Sequence, residues 1–195
     1  MNAYVIIDNG HGVNTAGKSS PDGRYQEWAW TRRAARALKA ELDRRGVAAE
    51  LLVEEDTDIS LATRCKRVAA IYRRHSDAIL ISLHSNASGL GAEWGSASGW
   101  SAWVSHNASV SSRRLACLLT SAAKIRGLEG NRATPACGYW TANLAICRDT
   151  PCPAVLTENM FHDNRADVEF LLSDAGMAQI VGLHADAIAS YCNEN

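Results

Sequence analysis

Three apolar runs of the sequence each lead into a side chain that can ligate a metal or move a proton. Residues 4–8 lead into His11, which stands between two glycines, residues 78–83 lead into His84, and residues 154–157 lead into Glu158. Short apolar runs of this kind are typical of buried strands. Functional sites of open α/β sheets form at the carboxyl ends of the strands. If the three strands are parallel neighbours, two imidazoles and a carboxylate meet at one edge of the sheet.

This set of side chains indicates a hydrolytic metal site. Catalytic zinc is commonly held by three protein ligands, often two histidines and a carboxylate, with one position left open. A second carboxylate must accept and return the proton of the attacking water. Glu27, at the predicted start of the first helix, is the candidate for the additional carboxylate. Asp8 and Asn86 are candidates for hydrogen bonds that orient an imidazole.

Each of these residues also has a purely structural interpretation. His11 could be a turn histidine, His84 a core histidine bonded to a carbonyl, and either glutamate a helix-capping or salt-bridge residue. The placement of three of them at strand ends favours a site, although their meeting in space is an inference. The other histidines have no comparable setting, and we expect them to be surface or structural residues: His75, His106, His162 and His184.

The elements that must position these residues alternate along the chain. We predict strands at residues 4–8, 47–53, 78–83, 100–105, 144–148 and 154–157, and helices at residues 27–45, 61–75, 110–126 and 167–191. A Gly- and Ser-rich stretch covers residues 88–99. This alternation favours an α/β fold with a mostly parallel sheet and helices on both faces. We expect a single domain over residues 1–195, because a second core would have to be unusually small.

Composition and charge exclude several classes of function. Hydrophobic residues make up 47% of the chain and charged residues 21%, which suits a folded protein with a sizeable core. The formal net charge of −1 offers no field that would gather nucleic acid or an anionic membrane surface. The apolar stretches are far shorter than the roughly 20 residues of a membrane span. We also see no signal peptide at the start of the chain.

The cysteines offer a different chemistry. Cys147 and Cys152 are close enough in sequence to form a disulfide in an oxidising compartment, and the sequence leaves this open. A cysteine hydrolase, with Cys137 or Cys152 as nucleophile and a distant histidine, is an alternative function, although neither lies in a complete nucleophile signature. The six cysteines are Cys65, Cys117, Cys137, Cys147, Cys152 and Cys192.

Tryptophans are numerous for a chain with two phenylalanines. Trp28 and Trp30 closely follow Glu27, and Trp94 lies in the Gly-rich stretch, so some of the six could stack on a substrate. Packing in the core or at its rim is the simpler interpretation of each. The other three are Trp100, Trp103 and Trp140.

The sequence resembles the zinc-dependent N-acetylmuramoyl-L-alanine amidases, the type found in bacterial cell-separation amidases and many phage endolysins. The resemblance covers nearly the whole chain, and its pieces are specific only in combination. They are residues 9–12, Glu27, Arg64, residues 81–87, residues 153–161 and Asn164.

The resemblance implies a site and a reaction. His11, Glu27 and His84 would bind zinc, and Glu158 would be the catalytic glutamate that acts on the attacking water. The scissile bond would be the amide between the lactyl group of N-acetylmuramic acid and L-alanine in peptidoglycan. The family fold, a mixed sheet of about six strands between helices, agrees with the alternation of elements.

Two other functions are compatible with the same residues. A zinc peptidase acting on peptidoglycan stem peptides would use the same ligands, because the cleft decides which amide is cleaved. A non-catalytic cell-wall-binding domain of this fold would be favoured by loss of Glu158 or of a ligand, and none is lost. In each case the target is the bacterial cell wall, in the periplasm or outside the cell. We expect a monomer without a nucleic-acid partner, and the export route stays open.

Overall fold

A six-stranded mixed sheet forms the centre of the computed structural model, which describes residues 3–89 and 93–193. In these residues the strands are β1 (Val5–Asn9), β2 (Ala49–Leu51), β3 (Ile79–Asn86), β4 (Ser101–Ser105), β5 (Trp140–Ala142) and β6 (Ala154–Phe161). The helices are α1 (Glu27–Arg44), α2 (Leu61–Arg74), α3 (Val110–Ile125), α4 (Ala145–Arg148), α5 (Arg165–Leu172) and α6 (Asp174–Asn193). The expected α/β fold, a single domain with a mostly parallel mixed sheet between helices, is confirmed.

Strand order brings the three chemistry-bearing runs together. The order across the sheet is β2-β1-β3-β6-β4-β5. Strands β2, β1, β3 and β6 are mutually parallel, β4 runs antiparallel to β6, and β5 runs parallel to β4. The carboxyl ends of β1, β3 and β6 therefore lie side by side, and the amino ends of β4 and β5 share that edge.

Two apolar clusters cover the two faces of the sheet. Alternate residues of a strand point to opposite faces, so Ile81 packs in the cluster formed with α1, α3 and α6, whereas Leu80 packs in the cluster formed with α2 and α4. Leu156 of β6 belongs to the α2 and α4 side. Since His84 and Glu158 are an even number of residues from Leu80 and Leu156, they face this same side. We call it the α2 face.

The predicted strand at residues 144–148 is wrong. This segment forms the one-turn helix α4, and the fifth strand lies earlier, at Trp140–Ala142. The carbonyl of Leu144 accepts backbone hydrogen bonds from Cys147 and Arg148, which closes the turn, and Ile146 packs into the cluster with α2. A short apolar run fits either a strand or a buried helical turn. Packing against α2 decided between them.

The predicted closing helix at residues 167–191 is two helices, α5 and α6, that meet at Ser173. Ser173 has an extended backbone, with φ −78° and ψ 150°. Its hydroxyl donates to the carbonyl of Phe170 and accepts from the amide of Gly176, so it ends α5 and caps α6. A Cβ at Gly176 would lie 1.9 Å from the Phe170 oxygen, so the bend requires glycine there.

Other element boundaries differ by a few residues. Strand β2 is shorter than residues 47–53, while β3 and β6 continue to Asn86 and Phe161. His84 and Glu158 therefore lie inside strands, whereas the sequence predicts them just after the strand ends. Of the stretch 88–99, residues 90–92 lie outside the described residues, and the rest forms neither helix nor strand. No helix in the described part of the chain is long and apolar enough to cross a membrane.

Candidate metal centre and its glutamate

His11, Glu27 and His84 meet at the carboxyl edge of the parallel strands. Oε1 of Glu27 lies 3.2 Å from Nδ1 of His84 and 3.5 Å from Nε2 of His11. The two imidazoles are perpendicular, with ring centroids 5.0 Å apart. One ligand atom from each of the three residues falls within 4.8 Å of the others. Two nitrogens and one carboxylate oxygen at such separations are a donor set that a zinc ion accepts.

Glu27 is the buried member of the cluster. It opens α1, as predicted, and only 1% of its side chain is exposed, against 20% for His11 and 18% for His84. Its Oε1 accepts a hydrogen bond from the amide of Ser85, 2.9 Å away. Its Oε2 is buried and has no hydrogen-bond partner among the described residues. An unpartnered buried carboxylate oxygen is costly unless a proton or a cation satisfies it.

The pKa shifts of Glu27 and His11 suit metal ligation, whereas the pKa of His84 moves toward the protonated form while no metal is bound. Burial opposes the charge on Glu27, but the hydrogen bond with His84 and the charges of both histidines outweigh it and lower the pKa of the carboxyl. Burial lowers the pKa of His11 to about 4 against the attraction of Glu27, so its imidazole is neutral near pH 7 and carries a free lone pair. For His84 burial also opposes the charged form, but the hydrogen bond and charge of Glu27 outweigh it and raise the pKa.

Two buried arginines hold the turn that presents His11. The residue adopts a left-handed backbone, with φ 61°, which is uncommon for a side chain other than glycine. Its carbonyl accepts hydrogen bonds from Arg32, 3.0 Å away, and from Arg64, 3.3 Å away. Thr31 donates to the carbonyl of the preceding Gly10. The turn is therefore fixed from α1 and α2 together, which opposes relaxation of the strained residue.

Asp8 does not orient an imidazole, contrary to the prediction. One of its oxygens lies 2.5 Å from Nη1 of Arg64, and the other accepts from the hydroxyl of Ser82. Both Asp8 and Arg64 are almost fully buried, and an isolated charge there would be unfavourable. Asn86 likewise bonds to the backbone amide of Ala87 and to no histidine in the described residues. The two residues support the backbone of the site.

Glu158 stands beside the cluster on the neighbouring strand. It pairs in register with His84, and adjacent in-register residues of a sheet share a face. Burial raises the pKa of Glu158 to about 7, against the opposing charge of His84. Its Oε2 is buried without a hydrogen-bond partner among the described residues. A carboxyl that exchanges its proton near neutral pH is suited to general acid–base chemistry.

An irregularity in β6 follows Glu158 directly. Met160 has a left-handed backbone, with φ 64°. The register between β3 and β6 shifts at this point. His84 pairs with Glu158 but Asn86 pairs with Phe161, so β6 has one more residue than β3 between these two pairs. Such bulges re-aim side chains near active sites. Here the bulge returns Phe161 to the same face as Glu158.

The comparison with known proteins decides the family. A family model described as N-acetylmuramoyl-L-alanine amidase matches residues 5–190 of this chain. The chain belongs to this family. A curated relative, the "Probable cell wall amidase LytH" of Staphylococcus aureus, is 29% identical over 179 residues, which cover 91% of this chain and 54% of the relative. The chain thus spans about half the length of the curated relatives it matches.

Solved amidase structures share the fold. An N-acetylmuramoyl-L-alanine amidase from Clostridium difficile 630 superposes with a TM-score of 0.82 at 24% identity, covering 100% of both chains. The amidase Ami1 from Mycobacterium smegmatis superposes with a TM-score of 0.84 at 17% identity, covering 99% of this chain and 98% of that one.

A cavity of about 420 Å³ opens beside the cluster of His11, Glu27 and His84 in this amidase-family chain. It lies on the α2 face, between the amino end of α2 and the segment that includes α4, and its wall is mainly apolar. His11 and His84 form part of the wall, so a molecule bound in the cavity would contact both histidine side chains. Other wall residues are Arg64, Leu61, Ile146 and Leu156.

The cysteines do not form a competing site. Both Cys147 and Cys152 are free thiols, and burial raises the pKa of each to about 12. A catalytic cysteine needs the opposite shift, toward the thiolate. The exposed Cys137 directs its thiol to the carbonyl of Tyr139. The alternative of a cysteine hydrolase therefore has no geometric support in these residues.

Two of the four histidines outside the cluster are buried, and we had expected all four to be surface or structural residues. His184 is buried and bonds through both ring nitrogens, to the carbonyl of Ile180 and to the hydroxyl of Thr157. His162 is buried 6.3 Å from the ring of Tyr25, and neither of its ring nitrogens has a hydrogen-bond partner among the described residues. His75 stacks on Tyr4 at 3.7 Å.

Arg32 supports the site but was not predicted from the sequence. It is one of several arginines in α1, yet only 3% of it is exposed and it supports the His11 turn. No local signal separates a buried arginine from its exposed neighbours, because the acceptors, carbonyls of residues 11 and 55, are distant in sequence.

Proposed function

We propose that this protein is a zinc-dependent hydrolase that cleaves the amide between N-acetylmuramic acid and L-alanine in peptidoglycan. The observation that carries the proposal is the His11, Glu27 and His84 cluster beside Glu158 at the carboxyl edge of the sheet. Family membership and the printed names of the relatives support the choice of amide. The substrate would lie outside the cytoplasm.

The three clustered residues fit zinc. His11 and His84 offer imidazole nitrogens and Glu27 offers a carboxylate whose second oxygen is buried and unpartnered. They supply three ligands and leave room for a fourth, which is the pattern of catalytic rather than structural zinc. When bound, the ion supplies Lewis-acid polarisation of the scissile carbonyl and lowers the pKa of the attacking water.

Glu158 would carry the proton through the reaction. As a carboxylate it accepts a proton from the attacking water, and as the acid it donates that proton to the departing amine of L-alanine. A pKa near 7 makes both forms accessible at neutral pH. The paired position of Glu158 and His84 on adjacent strands keeps the base next to the ligands.

The test is mass spectrometry of the products after zinc-loaded protein meets purified peptidoglycan. We expect free stem peptides that begin at L-alanine. Glu158→Gln should lower the rate by about 100-fold to 10,000-fold, because it removes the general acid–base group while keeping the shape of the side chain. Glu54→Gln, at an exposed glutamate, is the matched control and should leave the rate unchanged.

Other outcomes separate the alternatives. Cuts inside the stem peptide that require Glu158 would identify a zinc peptidase instead. Binding of peptidoglycan without cleavage, in the wild type and in Glu158→Gln alike, would favour a non-catalytic wall-binding domain. Activity that survives a zinc chelator at full rate would contradict the proposal.

A further inference from the structure

Arg132 lies at the active-site edge of the sheet, in the segment that leads into β5. Because β5 runs antiparallel to β6, the amino end of β5 points toward the edge where β6 ends, and its first residue, Trp140, is level with Leu156 of β6. The backbone before Arg132 is held by Asn131. The Asn131 amide group donates to the carbonyl of Ser96 at 2.7 Å, and its side-chain oxygen accepts from the amide of Ser98 at 2.9 Å.

The guanidinium of Arg132 rests on two aromatic rings. Its Cζ lies 4.4 Å from the ring centroid of Trp140 and 5.6 Å from that of Phe161. Trp140 in turn stacks on Trp103, with centroids 5.4 Å apart. Cation–π stacking of this kind fixes the plane of a guanidinium while its edge N–H groups stay free to donate.

Register places this cation on the same face as Glu158. Trp103 pairs with both Leu156 and Trp140, and Leu156 is two residues before Glu158 on β6, so all of these side chains share the α2 face. The bulge at Met160 brings Phe161 back to that face. Arg132, which lies over Trp140 and Phe161, is therefore near the side of the sheet that carries Glu158, and its charge reaches the carboxyl of Glu158. The positive charge of Arg132 acts in the direction that lowers the pKa of Glu158, as expected for such neighbours.

Among the described residues, Arg132 has no acidic partner. In the described residues no carboxylate lies within salt-bridge distance of its guanidinium, and the side chain is partly exposed. Most other arginines of the chain pair with acids, as Arg64 does with Asp8 and Arg126 with Asp186. A fixed, stacked and unpaired guanidinium beside a catalytic carboxyl is a ready donor for an anion.

We propose that Arg132 determines specificity by binding a carboxylate of the stem peptide on the side of the departing amine. The proposal rests on the proposed function. The metal cluster lies on the β1 and β3 side of Glu158, whereas Arg132 lies on the β4 and β5 side. Under the proposed function Glu158 donates a proton to the amine of L-alanine, so this amine lies next to Glu158. The peptide that follows L-alanine then extends away from the metal cluster, toward Arg132. The first carboxylate along that peptide is the α-carboxylate of the D-isoglutamate residue, which a guanidinium can bind with two hydrogen bonds.

The experiment compares two muropeptides that differ in one group. Zinc-loaded enzyme is given N-acetylmuramoyl-L-Ala-D-isoglutamyl-L-lysine, and the same compound with D-isoglutamine, and kcat and KM are measured for each. We expect the wild type to prefer the carboxylate form. Arg132→Gln should raise KM for that form on the order of tenfold or more, with little change for the amidated form. Arg132→Lys should retain part of the preference, because the charge remains but the paired donors are lost.

Arg165→Gln is the matched control, because Arg165 also stacks on a tryptophan, Trp94, at 4.3 Å, but lies at the start of α5. It should keep the preference of the wild type. An equal loss on both muropeptides, or a preference that survives Arg132→Gln, would overturn the role of Arg132. Absence of cleavage of either compound by the wild type would overturn the proposed function and this proposal with it. Thermal unfolding of each variant separates a misfolded protein from a loss of recognition.

Discussion

Glu27 is buried and Glu158 is partly buried, and their surroundings push the pKa values of the two carboxyls apart. Glu27 faces two imidazoles and accepts a backbone hydrogen bond, so it stays ionised despite its burial. Among the described residues no hydrogen-bond donor reaches the buried Oε2 of Glu158, and burial raises the pKa of this carboxyl to about 7. When the pKa values of two carboxyls differ in this way, one stays ionised and the other can accept and donate a proton. Under the proposed function, this environment suits Glu27 to metal ligation and Glu158 to acid–base chemistry.

This difference predicts that glutamine substitution at the two positions affects zinc affinity differently. Glu27→Gln should lower the affinity for zinc by at least about 100-fold, because a ligand is lost, and Glu158→Gln should bind zinc nearly as the wild type does. Isothermal titration of the metal-free proteins with zinc measures both affinities. If the two variants lost zinc to the same degree, Glu158 would have to be counted among the ligands.

At the scale of elements, the turn between β1 and α1 and the strand β3 approach each other closely. A Cβ at Gly10 would lie 2.3 Å from Cε1 of His84. The backbone of Gly10 does not need a left-handed conformation, so the requirement for glycine is one of space. Register between β1 and β3, together with the bonds from Arg32 and Arg64, sets this approach.

Gly10→Ala should therefore displace the imidazole of His84. We expect zinc affinity and hydrolysis to fall by about 10-fold to 100-fold, the range seen when the orientation of a metal ligand is disturbed. Zinc titration and the muropeptide assay measure the two quantities. Gly89→Ala is the control, because its Cβ would meet nothing within 4 Å. Wild-type zinc affinity in Gly10→Ala would show that the His84 ring can shift without loss.

At the scale of the whole molecule, His184 joins the helical layer to the sheet. It lies on α6, and its ring bonds to Thr157 of β6, the residue before Glu158. Burial lowers its pKa to about 4, with the hydrogen bond to Ile180 acting in the opposite direction. The folded protein thus keeps His184 neutral at a pH where the unfolded chain protonates it.

Protonation of the unfolded chain makes stability depend on pH in a definite direction. Below about pH 6.5 His184 becomes protonated in the unfolded state, whereas in the folded state it is protonated only near pH 4. The contribution of His184 to stability therefore falls as the pH falls from about 6.5 to about 4. Between pH 7 and pH 5 the loss should reach about 2 kcal/mol in the free energy of unfolding.

Urea unfolding of metal-free wild type and His184→Gln at both pH values isolates this contribution, since the other titrating groups are common to the two proteins. The variant should be less stable at pH 7 but should lose less stability on acidification. Equal losses in the two proteins would contradict a neutral His184.

Much of the fold could be predicted because most elements carry their own signal. The buried strands around Ile6, Ile81 and Val155 are apolar runs, and α1 shows helical periodicity through Leu38 and Leu42. The predictions of secondary structure are wrong where the local sequence of a short segment is compatible with two conformations. The run around Ile146 packs as a helical turn against α2, and Ser173 breaks a helix whose periodicity continues on both sides.

The residues of the candidate site were predicted for the same reason, whereas their support was not. His11, His84 and Glu158 follow apolar runs, which is visible in the sequence. Arg32 and Arg132 look like ordinary surface arginines in the sequence. Their partners are a carbonyl in another element and two aromatic rings from β5 and β6, respectively.

The sequence by itself determined the alternation of elements, the donors available for a metal and the glutamate beside them, because these depend on residue type and on short-range periodicity. Only the tertiary structure decided which donors meet, which arginines are buried, and that Arg132 lies on the face of Glu158. These properties depend on strand order, register and a bulge, which arise from contacts between residues far apart in the chain. Such contacts are selected by the packing of the whole core, and no local stretch of sequence encodes them.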